Sequence, residues 1–167
     1  MKRPLVSIVM GSDSDLPTLM EASDALKEFG VPHEVRILSA HRFPKGTTRY
    51  AEGAERRGVR VIIAAAGGAA HLAGVIAAHT SLPVIGVPIE TKSFKGIDSL
   101  FSTVQMPAGV PVGTMAIGKG GAKNAGIFAV EILATHTLAL RRKLQLYKKK
   151  LAHGVRLKDL KTGFRFP

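Results

Sequence analysis

The chain of 167 residues contains no cysteine, so disulfide bridges and thiolate metal sites are excluded, and a reducing compartment fits the composition. It also lacks any long apolar run. The stretch Leu5 to Met10, which follows Met1-Lys2-Arg3-Pro4, is too short for a signal-peptide core, and no stretch approaches the ~20 residues of a membrane helix. The expectation is a soluble, cytoplasmic protein with no membrane partner. Nucleotide and acyl-transfer signatures are missing as well. Gly118-Lys119-Gly120-Gly121 carries Lys123 where a dinucleotide fingerprint needs glycine. The span Gly121 to Gly126 is followed by Ile127 rather than the phosphate-loop lysine, and no nucleophile-elbow serine occurs. The usual equipment for ATP, NAD or acyl transfer is therefore absent. His71 and His79 stand eight residues apart, not the three or four that place a ligand pair on one helix face, so no metal is assigned.

Acidic residues are scarce at one end. Between Arg141 and Arg165 ten lysines and arginines face a single acid, Asp159, so most of the net charge of +12 belongs to the C-terminal segment and the rest of the chain is close to balanced. A run of this kind is a solvated face, a subunit contact or a polyanion-binding arm, in descending order of expectation. Nucleic-acid binding is thus a minor alternative. Its signature would be affinity that collapses with salt and disappears on deletion after Leu140.

What is present is an alternation of short apolar runs and helical patterns. Leu5–Met10, His33–Leu38, Val61–Ala65, Val84–Val87 and Val112–Ile117 read as strands, the first three as buried ones, with Pro88 ending the fourth. Helices are expected from Leu16 to Gly30, from Pro44 to Arg57 and from His71 to His79. One or two helical turns are expected from Gly96 to Ser102, then a glycine-rich turn at Gly118–Gly121. A long helix follows from about Ala122 to Leu140, continuing as a basic helix towards Leu151. Pro17 and Pro44 sit where a first helical turn accepts a missing N–H. Strand–helix alternation implies right-handed crossovers and a parallel sheet covered on both faces. The predicted fold is α/β, a three-layer sandwich of flavodoxin-like type with five parallel strands in the order 2-1-3-4-5. A length of 167 residues suits one domain that buries about 70% of its unfolded surface. It is assigned to residues 1–155, with a long C-terminal helix, and residues 156–167 form a loosely held basic tail.

In such a sheet ligands bind beyond the carboxyl ends of the strands, near the switch point between strands 1 and 3. Three polar turns fall there: Gly11-Ser12-Asp13-Ser14-Asp15, Ser39-Ala40-His41-Arg42 and Ala66-Gly67-Gly68-Ala69-Ala70-His71. Ser12 and Ser14 offer hydroxyls beside a helix N-terminus, where anions are favoured, although the same residues are preferred helix caps. Asp15 would repel a phosphate and suits ribose hydroxyls better. Arg42 offers a planar fork for phosphate or carboxylate. His41 belongs to the residue type that gives and takes protons near neutrality, while a plain surface His-Arg pair is the competing reading. Ala66, Gly67 and Gly68 let a ring or phosphate approach the backbone, or simply make a tight junction. Together these point to proton chemistry on a small phosphorylated molecule, or to its binding.

These turns, with Leu-Pro-Val-Ile-Gly-Val-Pro, Asp-Ser-Leu-Phe-Ser-Thr-Val-Gln-Met-Pro and Gly-Val-Pro-Val-Gly-Thr-Met-Ala-Ile-Gly in that order, closely resemble the class I PurE family over about Leu5 to Leu140. The resemblance implies a mutase that converts N5-carboxyaminoimidazole ribonucleotide to 4-carboxy-5-aminoimidazole ribonucleotide in purine biosynthesis. It also implies an isomerase that transfers a carboxyl group within its substrate, without a cofactor, as a homo-octamer. Asp13 stands where the CO2-using carboxylase class typically has Thr. Carboxylation of aminoimidazole ribonucleotide by free CO2, or a non-catalytic nucleotide- or RNA-binding module, are the alternatives. By the same resemblance Ser12, Asp15 and Arg42 match substrate ligands, Ser39 and Ala66-Gly67-Gly68 the surroundings of phosphate and base, and His41 the proton-transferring histidine. Ser14 and His71 are added as substrate-binding candidates from their place in the turns. Two positions depart from the family pattern: Phe43 replaces a usual Thr, and Ala73 a usual Pro. The first is expected to alter loop packing and the second to loosen the start of the helix after the third loop.

Overall fold

The computed structural model describes residues 3–162. Five strands, β1 (Val6–Met10), β2 (His33–Ile37), β3 (Val61–Gly67), β4 (Val84–Ile89) and β5 (Gly113–Thr114), form one parallel sheet in the order β2-β1-β3-β4-β5. The expected three-layer, flavodoxin-like arrangement is the one found. Ile8 pairs with Val35 on one side and Ile63 on the other, so β1 lies between β2 and β3 and the chain's switch of direction falls at β1/β3.

Side chains alternate across the strands, which divides the core in two. On one face Val6, Ile8, Met10, Val61, Ile63 and Ile85 meet α1 (Leu16–Phe29) and α5 (Gly118–Ala134). On the other, Val9, Ile62, Ala64 and Val84 meet Ala51 of α2 (Pro44–Glu52) and Leu72, Ala73 and Ile76 of α3 (Leu72–Ala78). Leu19 and Leu26 of α1 are fully buried, each contributing about 1.5–3 kcal/mol. Tyr50 fastens α2 to the sheet: its hydroxyl donates to Glu34 Oε1 of β2 at 2.5 Å and also meets the Ser7 hydroxyl of β1. Burial and the Glu34 carboxylate push the Tyr50 phenol above its ordinary pKa.

Several boundaries differ from the sequence reading. β4 does not stop at Val87 but runs through Pro88 to Ile89. There β3 is still alongside while β5 has ended, and a strand paired on one side tolerates the missing donor. β5 pairs through two residues only, because it has a single neighbour and the chain soon turns into α5. The glycines from Gly118 to Gly121 belong to α5 rather than to a turn. Burial of Ala122, Ala125 and Ala129 outweighs a helical cost of about 1 kcal/mol per glycine. The second helix ends at Glu52, and Glu55–Arg57 form a separate 3-10 turn. The helix after Gly96 is α4 (Ile97–Val104).

The expected helix from Ala122 to Leu140 is interrupted. α5 ends at Ala134, where the Thr135 hydroxyl donates to Ile132 O at 2.6 Å and the Arg141 guanidinium donates to Thr135 O at 3.0 Å. A threonine that bonds its own backbone competes with the helical ladder. α6 (Leu138–Thr162) then runs without a break past residue 156. Lys143 Nζ donates to Phe29 O at 2.7 Å, Lys148 pairs with Glu131 at 2.9 Å, and Leu144 is buried. The early basic residues thus tether the helix, while Leu151, Val155 and Leu157 are exposed. Residues 163–167 of the basic tail lie outside the described residues. Among the described residues no helix is long and apolar enough to cross a membrane.

Candidate active site

The first turn follows β1 directly. Gly11 N–H donates to Ala65 O at 3.2 Å, carrying the chain across the end of β3 before Asp13–Asp15 forms a 3-10 turn ahead of α1. Ser12 caps that turn: its Oγ accepts from Ser14 N at 3.4 Å and from the Ser14 hydroxyl at 2.9 Å. The capping role anticipated for these residues is therefore real, and both serines still line the crevice beside it. Asp15 is buried. Desolvation is the main reason that its pKa lies above the ordinary carboxylate value, with Asp13 adding to the rise. Hydrogen bonds from Ser14 and Ser12 and the charge of Arg42 pull the other way.

The second turn follows β2 and closes where Phe43 N–H donates to Ser39 O at 2.9 Å, enclosing Ala40, His41 and Arg42. Ser39 Oγ accepts from Arg42 N at 3.1 Å, and Thr47 Oγ1 donates to Ser39 O at 3.2 Å from beneath. Arg42 then reaches across to the first turn, its guanidinium donating to Gly11 O at 2.8 Å. Phe43 is exposed, and its ring lies over Gly46, where a methyl would fall 1.9 Å from the ring edge. The departure at Phe43 is thus accommodated by a glycine one turn later.

The third turn follows β3. Gly68 takes φ +67°, the left-handed region where glycine alone is unstrained, and reverses the chain before α3. Ala66, Gly67 and Ala69 line the crevice, whereas Gly68 is turned towards α4, its N–H donating to Ser99 Oγ at 2.9 Å. His71 leads into α3 and meets His41: Nε2 of His41 lies 2.9 Å from Nδ1 of His71, and the rings are edge-to-face at 84°. Ala73 does not disturb the start of the helix; it is 2% exposed and α3 begins at Leu72.

The three turns meet in one crevice of about 460 Å³. Ser12, Ser14, Asp15, Ser39, His41, Arg42, Ala66 and Gly67 line it; His71 joins it through His41, and Gly68 supports it from behind. Ile89 and Glu90 also line it and were missed by the sequence reading. The signal was available, since they stand at the carboxyl end of the fourth strand, but ending that strand at Val87 hid it. Hydroxyls, a guanidinium and the His41 imidazole face a common space with a buried carboxyl at its edge, and His71 is hydrogen-bonded to that imidazole. This arrangement can grip an anionic ligand and move protons on it. Among the described residues no group of three or more His, Asp or Glu side chains could hold a metal ion.

A family model described as AIR carboxylase matches residues 5–154. The chain is 59% identical over 148 residues to a protein of Synechocystis named N5-carboxyaminoimidazole ribonucleotide mutase, covering 89% of this chain and 83% of that one. It is 54% identical over 154 residues to a protein of the same name from Pyrococcus horikoshii, covering 92% of this chain and 86% of that one. Among solved structures it is similar to Treponema denticola PurE, with a TM-score of 0.86, 28% identity, and coverage of 95% of this chain and 98% of that one.

Proposed function

The chain belongs to the AIR carboxylase family, and on that premise we propose that it is an N5-carboxyaminoimidazole ribonucleotide mutase of purine biosynthesis. It moves a carboxyl group from the exocyclic nitrogen of its substrate to ring carbon C4. The N–C bond of the carbamate breaks and CO2 is released inside the crevice, while the nitrogen takes up a proton. C4 of the electron-rich ring attacks the trapped CO2, forming the new C–C bond, and then loses its own proton to restore aromaticity. One proton is taken and one returned, so a single histidine balances the reaction and neither ATP nor a redox cofactor enters it.

The observation that carries this reading is the junction of three distant turns through Arg42–Gly11 and His41–His71. His41 is the proton carrier. A hydrogen bond between two imidazoles needs a donor nitrogen on one ring and an acceptor on the other, so the contact at 2.9 Å commits one His41 nitrogen to His71 and leaves the other for substrate. Arg42 holds the phosphate together with Ser12, Ser14 and Ser39, and Asp15 accepts from the ribose. The backbone of Ala66-Gly67-Gly68 borders the base. Remote binding energy then keeps the ring still while CO2 is transferred. The same reading makes the protein a cytoplasmic homo-octamer. The exposure of Phe94, Phe101 and Val104 in a single chain supports their burial between copies.

The test is an ultraviolet assay of the purified protein with N5-carboxyaminoimidazole ribonucleotide, without ATP or added metal. The expected result is conversion to the 4-carboxy isomer. Turnover only with aminoimidazole ribonucleotide and bicarbonate would overturn the mutase in favour of the carboxylase.

A further inference from the structure

The motif from Asp98 to Pro107 is not used by the chemistry above, yet it produces α4, which lies behind the third turn. Ser99 of α4 is fully buried. Its hydroxyl accepts from Gly68 N–H at 2.9 Å and donates to Ile89 O at 2.7 Å, joining the ends of β3 and β4. One turn later, Ser102 Oγ lies 3.1 Å from Gly68 O and 2.7 Å from Asp98 O, both acceptors for its single proton. Both polar groups of the left-handed glycine are thus reached from one helix. From Gly68 the chain makes two tight steps, Ala70 N to Gly68 O and His71 N to Ala69 O, each at 2.8 Å, and arrives at the imidazole that meets His41.

We propose that Ser99, with Ser102, is a positioning residue for the reaction: α4 grips Gly68 and so sets the third turn and His71 against His41. This rests on the function assigned above. Neither serine lines the crevice or touches the reacting atoms. Ser99→Ala leaves Gly68 N–H and Ile89 O without their hydroxyl partner, and a buried amide without a partner is the costly case. Ser102→Ala is milder, because Gly68 O still accepts from Ala70 N.

The test uses the full chain, both single variants, steady-state kinetics and amide hydrogen exchange. In Ser99→Ala the Gly68 amide should exchange at least tenfold faster, while that of Ile8 in the central strand is unchanged. The kcat should fall about tenfold or more with KM changed less than threefold, because the phosphate is held by the other two turns. Ser102→Ala should shift kcat in the same direction by two- to fivefold. Should Ser99→Ala fail to fold, Ser102→Ala decides. A folded Ser99→Ala enzyme with kcat within twofold of wild type would overturn the proposal. So would a fall in kcat without faster Gly68 exchange, or, where Ser102→Ala decides, an unchanged kcat in that variant. Inactivity of the wild-type protein would instead refute the assigned function, and faster Gly68 exchange in the variants would still report the grip of α4.

Discussion

The guanidinium of Arg42 donates to the carbonyl of Gly11 at 2.8 Å, bridging turns that lie 31 residues apart in the chain. Arg42 therefore shapes the crevice, and in the proposed function it also meets an anion. Arg42→Leu removes both. A charge-assisted hydrogen bond contributes about 1.5–3 kcal/mol, so KM should rise roughly ten- to hundredfold with a smaller change in kcat. Steady-state kinetics check this, and an unchanged KM rules out the anchoring role.

His41→Asn keeps a polar side chain in the crevice but removes the proposed proton carrier. Turnover should be lost, while substrate binding measured by calorimetry stays within a few-fold of wild type. Near-normal turnover would assign the proton transfer to another group.

Asp15 gives a pH-dependent stability effect whose sign follows from its raised pKa. The folded state holds the Asp15 proton to higher pH than the unfolded state does, so ionisation of this group costs stability as pH rises through the folded pKa. Below the ordinary carboxylate value of 3.8 the carboxyl is protonated in both states and Asp15→Asn should be nearly neutral. As pH rises the variant should become the more stable protein, with the difference levelling off above the folded pKa. Urea unfolding of both proteins across this pH range measures it. The same variant should bind substrate more weakly, since an amide is a poorer acceptor for ribose hydroxyls.

Phe43 and Gly46 should behave as a coupled pair. Replacing glycine by alanine in a helix ordinarily gains up to about 1 kcal/mol. Gly46→Ala should realise that gain only in a Phe43→Thr background, because the wild-type ring occupies the space of the new methyl. A double-mutant cycle by chemical denaturation should give a coupling of about 0.5 kcal/mol or more. Strict additivity would place the ring elsewhere in solution.

Truncation separates the two halves of α6. A chain ending at Lys150 keeps Leu144, Lys143 and the edge contact between Phe29 and Tyr147, and should lose little thermal stability. A chain ending at Leu140 loses all three and should unfold several degrees lower. Equal midpoints for the two truncations would mean that Leu144 and Tyr147 contribute nothing to the core.

The reactive turns were legible because each joins an apolar run that reads as a strand to residues that make poor strand or core material. Among those three runs burial itself holds for β1 and most of β3 only: β2, also read as buried, is the edge strand, with Val35 and Ile37 exposed. Pro17 and Pro44 marked the helix starts for a local steric reason, and both lie in the first turn of their helices. What could not be read depends on partners distant in sequence. Pro88 resembles a strand terminator until β5 is known to end early on its far side. The break between α5 and α6 needs the Arg141 guanidinium on Thr135 O as well as the local Thr135 bond. Ile89 and Glu90 were lost from the site for the same reason as the end of β4. Ser99 gave no local signal at all, since a serine in a short amphipathic helix reveals its partners only after folding.

The turn bearing His41 and Arg42 hangs from β2, the outermost strand, where Val35 and Ile37 are exposed in the single chain and only β1 is alongside. The imidazole and guanidinium of this turn are therefore hinged to the rim of the sheet, while the apolar packing that holds the fold lies on β1, β3 and β4. A change in this turn, or in whatever covers β2, can shift those two groups and leave that packing intact.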